Sequence, residues 1–294
     1  MTGAGDDHGP ARPPRVTPGQ LLDIWTHDEV RVIARRPHDL EDIPDLALRI
    51  RGAFGNALAR RGAPIAHRRD PFHRPPPYPA LFGDEQGNRV RPFVIDADVV
   101  GNVVIVDLRL FGAAAFWADQ AREALIEALA DGASLRGGAL RTPFVPLDAM
   151  MRRCAAPENR ARLTEAALVF RTPVCVRRKD ALRLDGPSVL KSIVTRVRGL
   201  APWLNIEIAA DWTALHRLAE TFDYDDGDLT IVRFERYSRR NPGAPIPMRG
   251  ALGKLVVRGE MAPYHPFLAI GHFIHAGSHA ALGFGRYDFA GYAF

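Results

Sequence analysis

The stretch Gly271-His-Phe-Ile-His-Ala-Gly-Ser-His-Ala-Ala-Leu-Gly-Phe-Gly-Arg-Tyr287 carries the most structural information in the chain. It completes a short helix over residues 267–275, passes through Gly277, Gly283 and Gly285, and turns strand-like towards residue 289. Glycine has no Cβ, so these three positions can take φ > 0 and let another backbone come close. A turn of successive backbone N–H groups, with no side chains in the way, can cradle a phosphate. Gly277, Ser278, His279, Gly283 and Gly285 are therefore candidate phosphate-binding positions. Arg286 adds a phosphate contact, and Tyr287 adds a ring on which a base could stack. The same glycines would also suit a tight hairpin.

Upstream, strand-like and helical segments come in two rounds. In the first, the alternation in Val30-Arg-Val-Ile33 predicts a strand, and Leu46, Ile50, Phe54, Ala57 and Leu58 predict a helix over 46–60. Strands follow over 91–95 and 99–111. Trp117, Ala121, Leu125 and Leu129 form one stripe of a helix over 116–130, which Asp131-Gly132 ends. The second round begins after about residue 150, with strands over 163–171 and 174–178, a basic helix over 188–200, a helix over 211–221, and strands over 229–237 and 250–259. Each round is the material of a βαββαβ unit. The expected fold class is α+β, with two tandem ferredoxin-like (RRM-like) domains whose sheets face a central cleft. Residues 1–17 read as a disordered leader, 18–150 as the N-terminal domain, and 151–294 as the C-terminal domain with the Gly-rich loop.

At 294 residues the chain has room for two domains. A content of 47% hydrophobic and 25% charged residues is that of a globular protein rather than a disordered one. No apolar run approaches the ~20 residues that span a bilayer, and the polar start has no signal-like stretch. Cys154 and Cys175 are too few for a disulfide framework or a four-thiolate zinc site. These features predict a cytoplasmic protein with no membrane partner. The formal charge of +5 would not by itself indicate nucleic acid. The grouping of arginines at 35–36, 68–69, 152–153, 177–178 and 239–240 is more suggestive, because their planar forks suit bidentate phosphate contacts. Solvated surface arginines would give the same pattern.

Four segments, in order, resemble CRISPR repeat-RNA endoribonucleases of the RAMP superfamily. Pro266 to Tyr287 is similar to their C-terminal motif of helix, Gly-rich loop and final strand. Leu48-Arg-Ile-Arg-Gly-Ala-Phe-Gly-Asn-Ala-Leu58 resembles their first helix, and Leu168-Val-Phe-Arg-Thr-Pro-Val174 the strand that opens their second half. Arg236-Tyr-Ser-Arg-Arg240 with Met248-Arg-Gly-Ala-Leu-Gly253 resembles the strand pair before the closing loop. The chain also departs from the pattern. Residues 60–82 hold His67 and His73 but none of the cysteines many relatives carry there, and Ser278 and His279 stand where relatives usually have Lys and Gly.

The resemblance implies metal-independent cleavage of CRISPR repeat RNA, with no cofactor and no metal ligands. The 2′-OH beside the scissile phosphate attacks it, leaving a 2′,3′-cyclic phosphate on the upstream product and a 5′-OH on the other. This chemistry needs a base, an acid and a cation. Histidine suits the first two roles because imidazole titrates near neutrality. The catalytic candidates are His275, just before the glycine loop, His38, in the region before the first helix where several relatives place a catalytic histidine, and His27. His67 and His73 follow them. An H-x-x-H pair, His272 and His275, lacks the further ligand a metal site would need.

Lys191, Arg196 and Arg198 are expected to point outward from the basic helix onto an RNA backbone, and Arg236, Arg239 and Arg240 to grip a hairpin. The expected partners are CRISPR repeat RNA or its crRNA product and, as a second class, other subunits of a CRISPR effector complex. The alternative function is a catalytically inactive RNA-binding subunit with the same fold.

Overall fold

The computed structural model describes residues 12–38, 40, 45–61, 75–83, 90–134, 141–156, 163–178, 181–238 and 241–292. The alternation around Val30 becomes strand β1 (Thr26–Arg35), and the helical spacing after it becomes α1 (Leu46–Arg61). A hairpin follows, β2 (Phe93–Val100) and β3 (Val103–Phe111), then α2 (Ala118–Asp131) and β4 (Val145–Ala155). The expected strand over 99–111 was too long at its start, because Gly101 takes φ +56° and turns the chain there. All pairings are antiparallel in the order β2-β3-β1-β4, the arrangement of a ferredoxin-like unit. Val30, Val32, Ala34, Phe93, Ile95, Val106 and Leu108 bury one face of this sheet against α1 and α2. Each fully buried Val, Leu or Phe there contributes about 1.5–3 kcal/mol.

The second half repeats the plan with β5 (Glu165–Val174), α3 (Gly186–Leu200), β6 (Thr230–Ser238), β7 (Asn241–Arg258), α4 (His265–Ile274) and β8 (Tyr287–Tyr292). Its sheet runs β6-β7-β5-β8, again antiparallel. The edge strand is broken: Asp223–Asp225 pairs with the far end of β7 and β6 with the near end. Two ferredoxin-like units in tandem are therefore present.

Three expectations need correction. The first sheet ends with β4 at Ala155 and the second begins at Glu165, so the change of unit comes after residue 155 rather than at 150. Residues 1–11 lie outside the described residues, but 12–17 are ordered structure. Arg15–Val16 pairs in parallel with Glu207–Ile208, and Thr17 caps the helix Pro18–Ile24 with a reciprocal Gln20 bond. The sheets also do not face each other. The second half turns α4 towards the first sheet, whose uncovered face it packs upon. Val94 and Phe111 of that face join Leu21, Trp25 and the α4 residues in one core. Helix α4 is apolar on nearly all sides because it lies between its own sheet and its neighbour's. Gly271 makes this possible, since a Cβ there would lie 2.6 Å from Ile193 and collide with the Tyr287 hydroxyl.

Candidate functional site

The glycine loop has the backbone expected of it but not the role. Gly277, Gly283 and Gly285 take φ of +76°, +87° and +73°. Their missing side chains admit the protein's own chain: a Cβ on Gly283 would stand 2.5 Å from that of Ala47 and 2.9 Å from the Ile95 carbonyl. Cβ atoms on Gly277 and Gly285 would strike the carbonyls of Cys175 and Ala276. Residues 280–285 are buried. The amides of Gly277, Ser278 and Gly285 already donate to Ser192 Oγ (3.0 Å), the Cys175 carbonyl (2.6 Å) and the Pro173 carbonyl (3.0 Å). The loop is thus the wedge that joins the second half to α1 and β2, not an open phosphate cradle. Tyr287 is fully buried and donates to the Leu268 carbonyl at 2.8 Å, so it offers no ring to a base. Arg286 pairs with Asp98 at 2.6 Å. Of the loop's candidates, Gly277, Ser278, His279 and Arg286 keep partial exposure.

His275 is also inside. It follows the last residue of α4, at φ +66° and ψ 161°, and no part of it reaches solvent. A non-glycine residue there costs of order 1–3 kcal/mol, so its surroundings must hold it in place. They form a network on the first sheet's inner face. Asp96 of β2 lies 3.2 Å from His275 Nε2 and 2.8 Å from Arg109 Nη1. Arg109 Nε donates to Glu29 at 3.1 Å, Arg152 Nε to the same carboxylate at 2.8 Å, and Arg31 holds Asp107 with two bonds of 2.7 and 2.8 Å. Burial opposes the Asp96 charge, but His275, Arg109 and Arg286 outweigh it and hold the carboxyl well below the usual carboxylate range. Burial lowers His275, which is best described as a neutral imidazole donating to an ionised Asp96. Guanidiniums also meet the end of α4, where Arg109 reaches the Phe273 carbonyl at 3.5 Å and Arg196 Nε the Ile274 carbonyl at 2.5 Å. Cations there complement the negative end of the helix.

His27 is equally hidden, at 2% exposure against Phe111 and Phe273, with neither ring nitrogen hydrogen-bonded. Burial first, then Arg109, Arg152 and His272, push it down to about 3, so it is neutral at physiological pH. His27, Glu29 and Cys154 place one ligand atom each within 4.8 Å of one another. The Arg109 and Arg152 guanidiniums on Glu29 oppose a cation at that point. His272 and His275 do not converge on a metal either, since His272 Nδ1 bonds the Tyr287 carbonyl at 2.8 Å while His275 faces Asp96.

His38 is the catalytic candidate that reaches solvent. It stands exposed in a turn after β1, and the turn is pinned on both sides. The Arg36 amide donates to the Asn102 carbonyl at 2.8 Å, the Arg36 guanidinium clasps the Leu40 carbonyl at 2.6 Å, and the Leu40 amide returns to Pro37 at 3.1 Å. Leu40 itself is sunk in the core beside α1. The start of α1 in turn meets the glycine loop and the β6–β7 hairpin, where Leu48 packs with Phe234, Met248, Leu282 and Phe284. Arg236 is half-buried beside this junction, and its charge is felt at both Arg51 and His279. Arg239 and Arg240 lie outside the described residues, as do His67 and His73.

The outward basic helix also needs revision. Arg196 is buried at 8% exposure, Lys191 is paired with Glu220, and only Arg198 is exposed, its guanidinium 4.9 Å above the Trp212 ring. The inner-face network of Glu29, Asp96, Asp107 and Arg109 went unread in the sequence. Its signal was present: polar Glu29 and Arg31 alternate with apolar Val30 and Val32, which marks a second, charged face.

Residues 168–287 match the family model of the CRISPR-associated endoribonuclease Cas6. No curated protein sequence matches the chain. Among solved structures, Thermus thermophilus Cas6 is similar at TM-score 0.57 and 13% identity, over 90% of this chain and 99% of that one. A Cas6 product complex is similar at TM-score 0.56 and 16% identity, over 91% of this chain and 100% of that one. A Cas6 substrate mimic complex follows at 0.52 and 15%, over 91% and 99%. At such identities the structures speak for the fold. Among the described residues, no helix is long and apolar enough to cross a membrane. Residues 168–287 follow the Cas6 pattern, and the chain as a whole shares the tandem ferredoxin-like fold of the solved Cas6 structures.

Proposed function

We propose that the protein is an endoribonuclease that cuts CRISPR repeat RNA without a metal, leaving a 2′,3′-cyclic phosphate on the upstream product and a 5′-OH on the other. The observation that carries this reading is the exposed His38 on a pinned turn leading into α1, in a chain whose residues 168–287 follow the Cas6 pattern. In this reading His38 exchanges the proton, taking it from the attacking 2′-OH or giving it to the leaving 5′-oxygen. The O2′–P bond forms as the P–O5′ bond breaks. Arg236, half-buried beside the α1 junction, is the first candidate for the cation that offsets the charge on the phosphorane. A pinned turn holds a reacting group in place better than a free loop does. The test is incubation with repeat RNA in EDTA, followed by analysis of the product ends for a cyclic phosphate.

One observation favours a second reading, an inactive RNA-binding subunit. Two of the three catalytic candidates, His275 and His27, are buried, which leaves His38 as the one exposed member of that set for two proton transfers. Binding of repeat RNA with no cleavage, in EDTA or with added divalent metal, would establish this alternative.

A further inference from the structure

A cavity of about 580 Å³ opens against α3, on the side away from its apolar core, and its walls are cationic. Arg177, Arg183, Lys191, Arg196 and His216 line it, and among the described residues no acid does. Hydroxyl groups of Ser188, Ser192, Thr195 and Ser278 add hydrogen-bonding atoms, and Val90 and Val176 give it an apolar patch. Its volume lies in the range of small-ligand sites, about 300–1,000 Å³.

Lys191 is answered by Glu220, but Arg196 shows that part of this positive field is not answered among the described residues. Its side chain is buried, one nitrogen is bonded to the Ile274 carbonyl, and Nη2 has no partner. Burial lowers the guanidinium to about 9 with no acid acting on it, so it remains charged at neutral pH. A buried cation without a counter-charge is costly to keep. Arg177 and Arg183 likewise have no ion-pair partner among the described residues. A phosphate supplies what is missing, with negative charge, several acceptor oxygens and a geometry that matches the arginine fork. The apolar patch of Val90 and Val176 then faces whatever the phosphate carries.

We infer that this cavity is a binding site for the phosphate of a nucleotide, whether a free nucleotide or one within an RNA strand. The site lies among α3, the Arg177 segment and the base of the glycine loop, and it does not involve His38.

The experiment is calorimetric titration of the full chain with inorganic phosphate and with 5′-AMP, in phosphate-free buffer. Saturable binding of both is expected, with AMP the tighter. The double variant Arg177→Ala/Arg183→Ala should weaken AMP by about tenfold or more, the loss of at least one charge-assisted hydrogen bond. Arg171→Ala, a surface arginine paired with Asp288, should leave binding unchanged. Because both cavity arginines lie outside the core, the variant's thermal midpoint should match the wild type and exclude unfolding as the cause. Adding repeat RNA then identifies the source: displacement of AMP assigns the cavity to an RNA nucleotide, and retention assigns it to a free one. No saturable binding of either probe, or equal AMP affinity in the double variant, would overturn the inference.

Discussion

His275 Nε2 lies 3.2 Å from Asp96 Oδ1, joining the end of α4 in the second half to β2 in the first. The pair is fully enclosed, and Arg109 and Arg286 hold Asp96 from its other sides. A residue that looked like a base for RNA is therefore part of the join between the halves. His275→Ala should lower stability while leaving single-turnover cleavage of repeat RNA near the wild-type rate at a temperature where the variant is folded. Asp96→Asn should cost more, about 3–5 kcal/mol, because it leaves buried guanidinium charge unanswered. Urea titrations of both variants check the ranking.

The imidazoles also set the acid sensitivity. His27, pushed down to about 3, stays neutral in the folded state while the unfolded chain takes a proton near 6.5. The unfolded state then binds more protons, so the stability due to His27 is complete above pH ~6.5 and is lost as pH falls towards 3. His275, lowered by burial, acts with the same sign. Asp96, held low, contributes only above the ordinary carboxylate range and weakens in stronger acid. His27→Phe should keep the fold among Phe111 and Phe273 and flatten the decline between pH 6.5 and 4, as measured by the urea midpoint.

Two glycines with positive φ separate packing from turn geometry. A side chain at Gly283 would press on Ala47 and the Ile95 carbonyl, whereas a Cβ at Gly101 meets nothing within 4 Å. Gly101→Ala should cost about 1 kcal/mol of backbone strain. Gly283→Val should cost at least about 3 kcal/mol, from strain and overpacking together, and should loosen the two halves. Denaturation midpoints and protease sensitivity of the two variants would show the difference.

RNA affinity should fall linearly in log–log form with salt, with a slope of about −0.7 for each phosphate neutralised on a single strand. Arg236→Ala should make the slope shallower by about that amount if Arg236 contacts a phosphate. An unchanged slope would move the RNA away from the β6–β7 hairpin.

The tandem fold was legible because it rests on periodicity. Val30-Arg-Val-Ile33 alternates, the stripe from Leu46 to Leu58 repeats at helical spacing, and the glycines of 277–285 do take positive φ. What was not legible is which surfaces the two halves hide from each other. Arg196 sits at the border of the apolar face of α3, and only the position of α4 decides that its guanidinium ends on the Ile274 carbonyl. His275 was read as a catalytic candidate and Tyr287 as a ring for a base because a glycine loop suggests a surface, yet this loop is an interior wedge. Phosphate cradle and close backbone packing demand the same residue, and composition cannot distinguish them. His38 needed no such partner, since it sits at the surface in a turn made by its immediate neighbours.

The central claim is that His38 transfers a proton during cleavage, and single-turnover cleavage of repeat RNA in EDTA by wild type and His38→Ala tests it most directly. The account predicts a rate loss of about 10²–10⁴-fold for the variant, with RNA affinity within a few-fold of wild type, because an acid or base acts on the transition state more than on bound substrate. Cleavage by His38→Ala at the wild-type rate would contradict it.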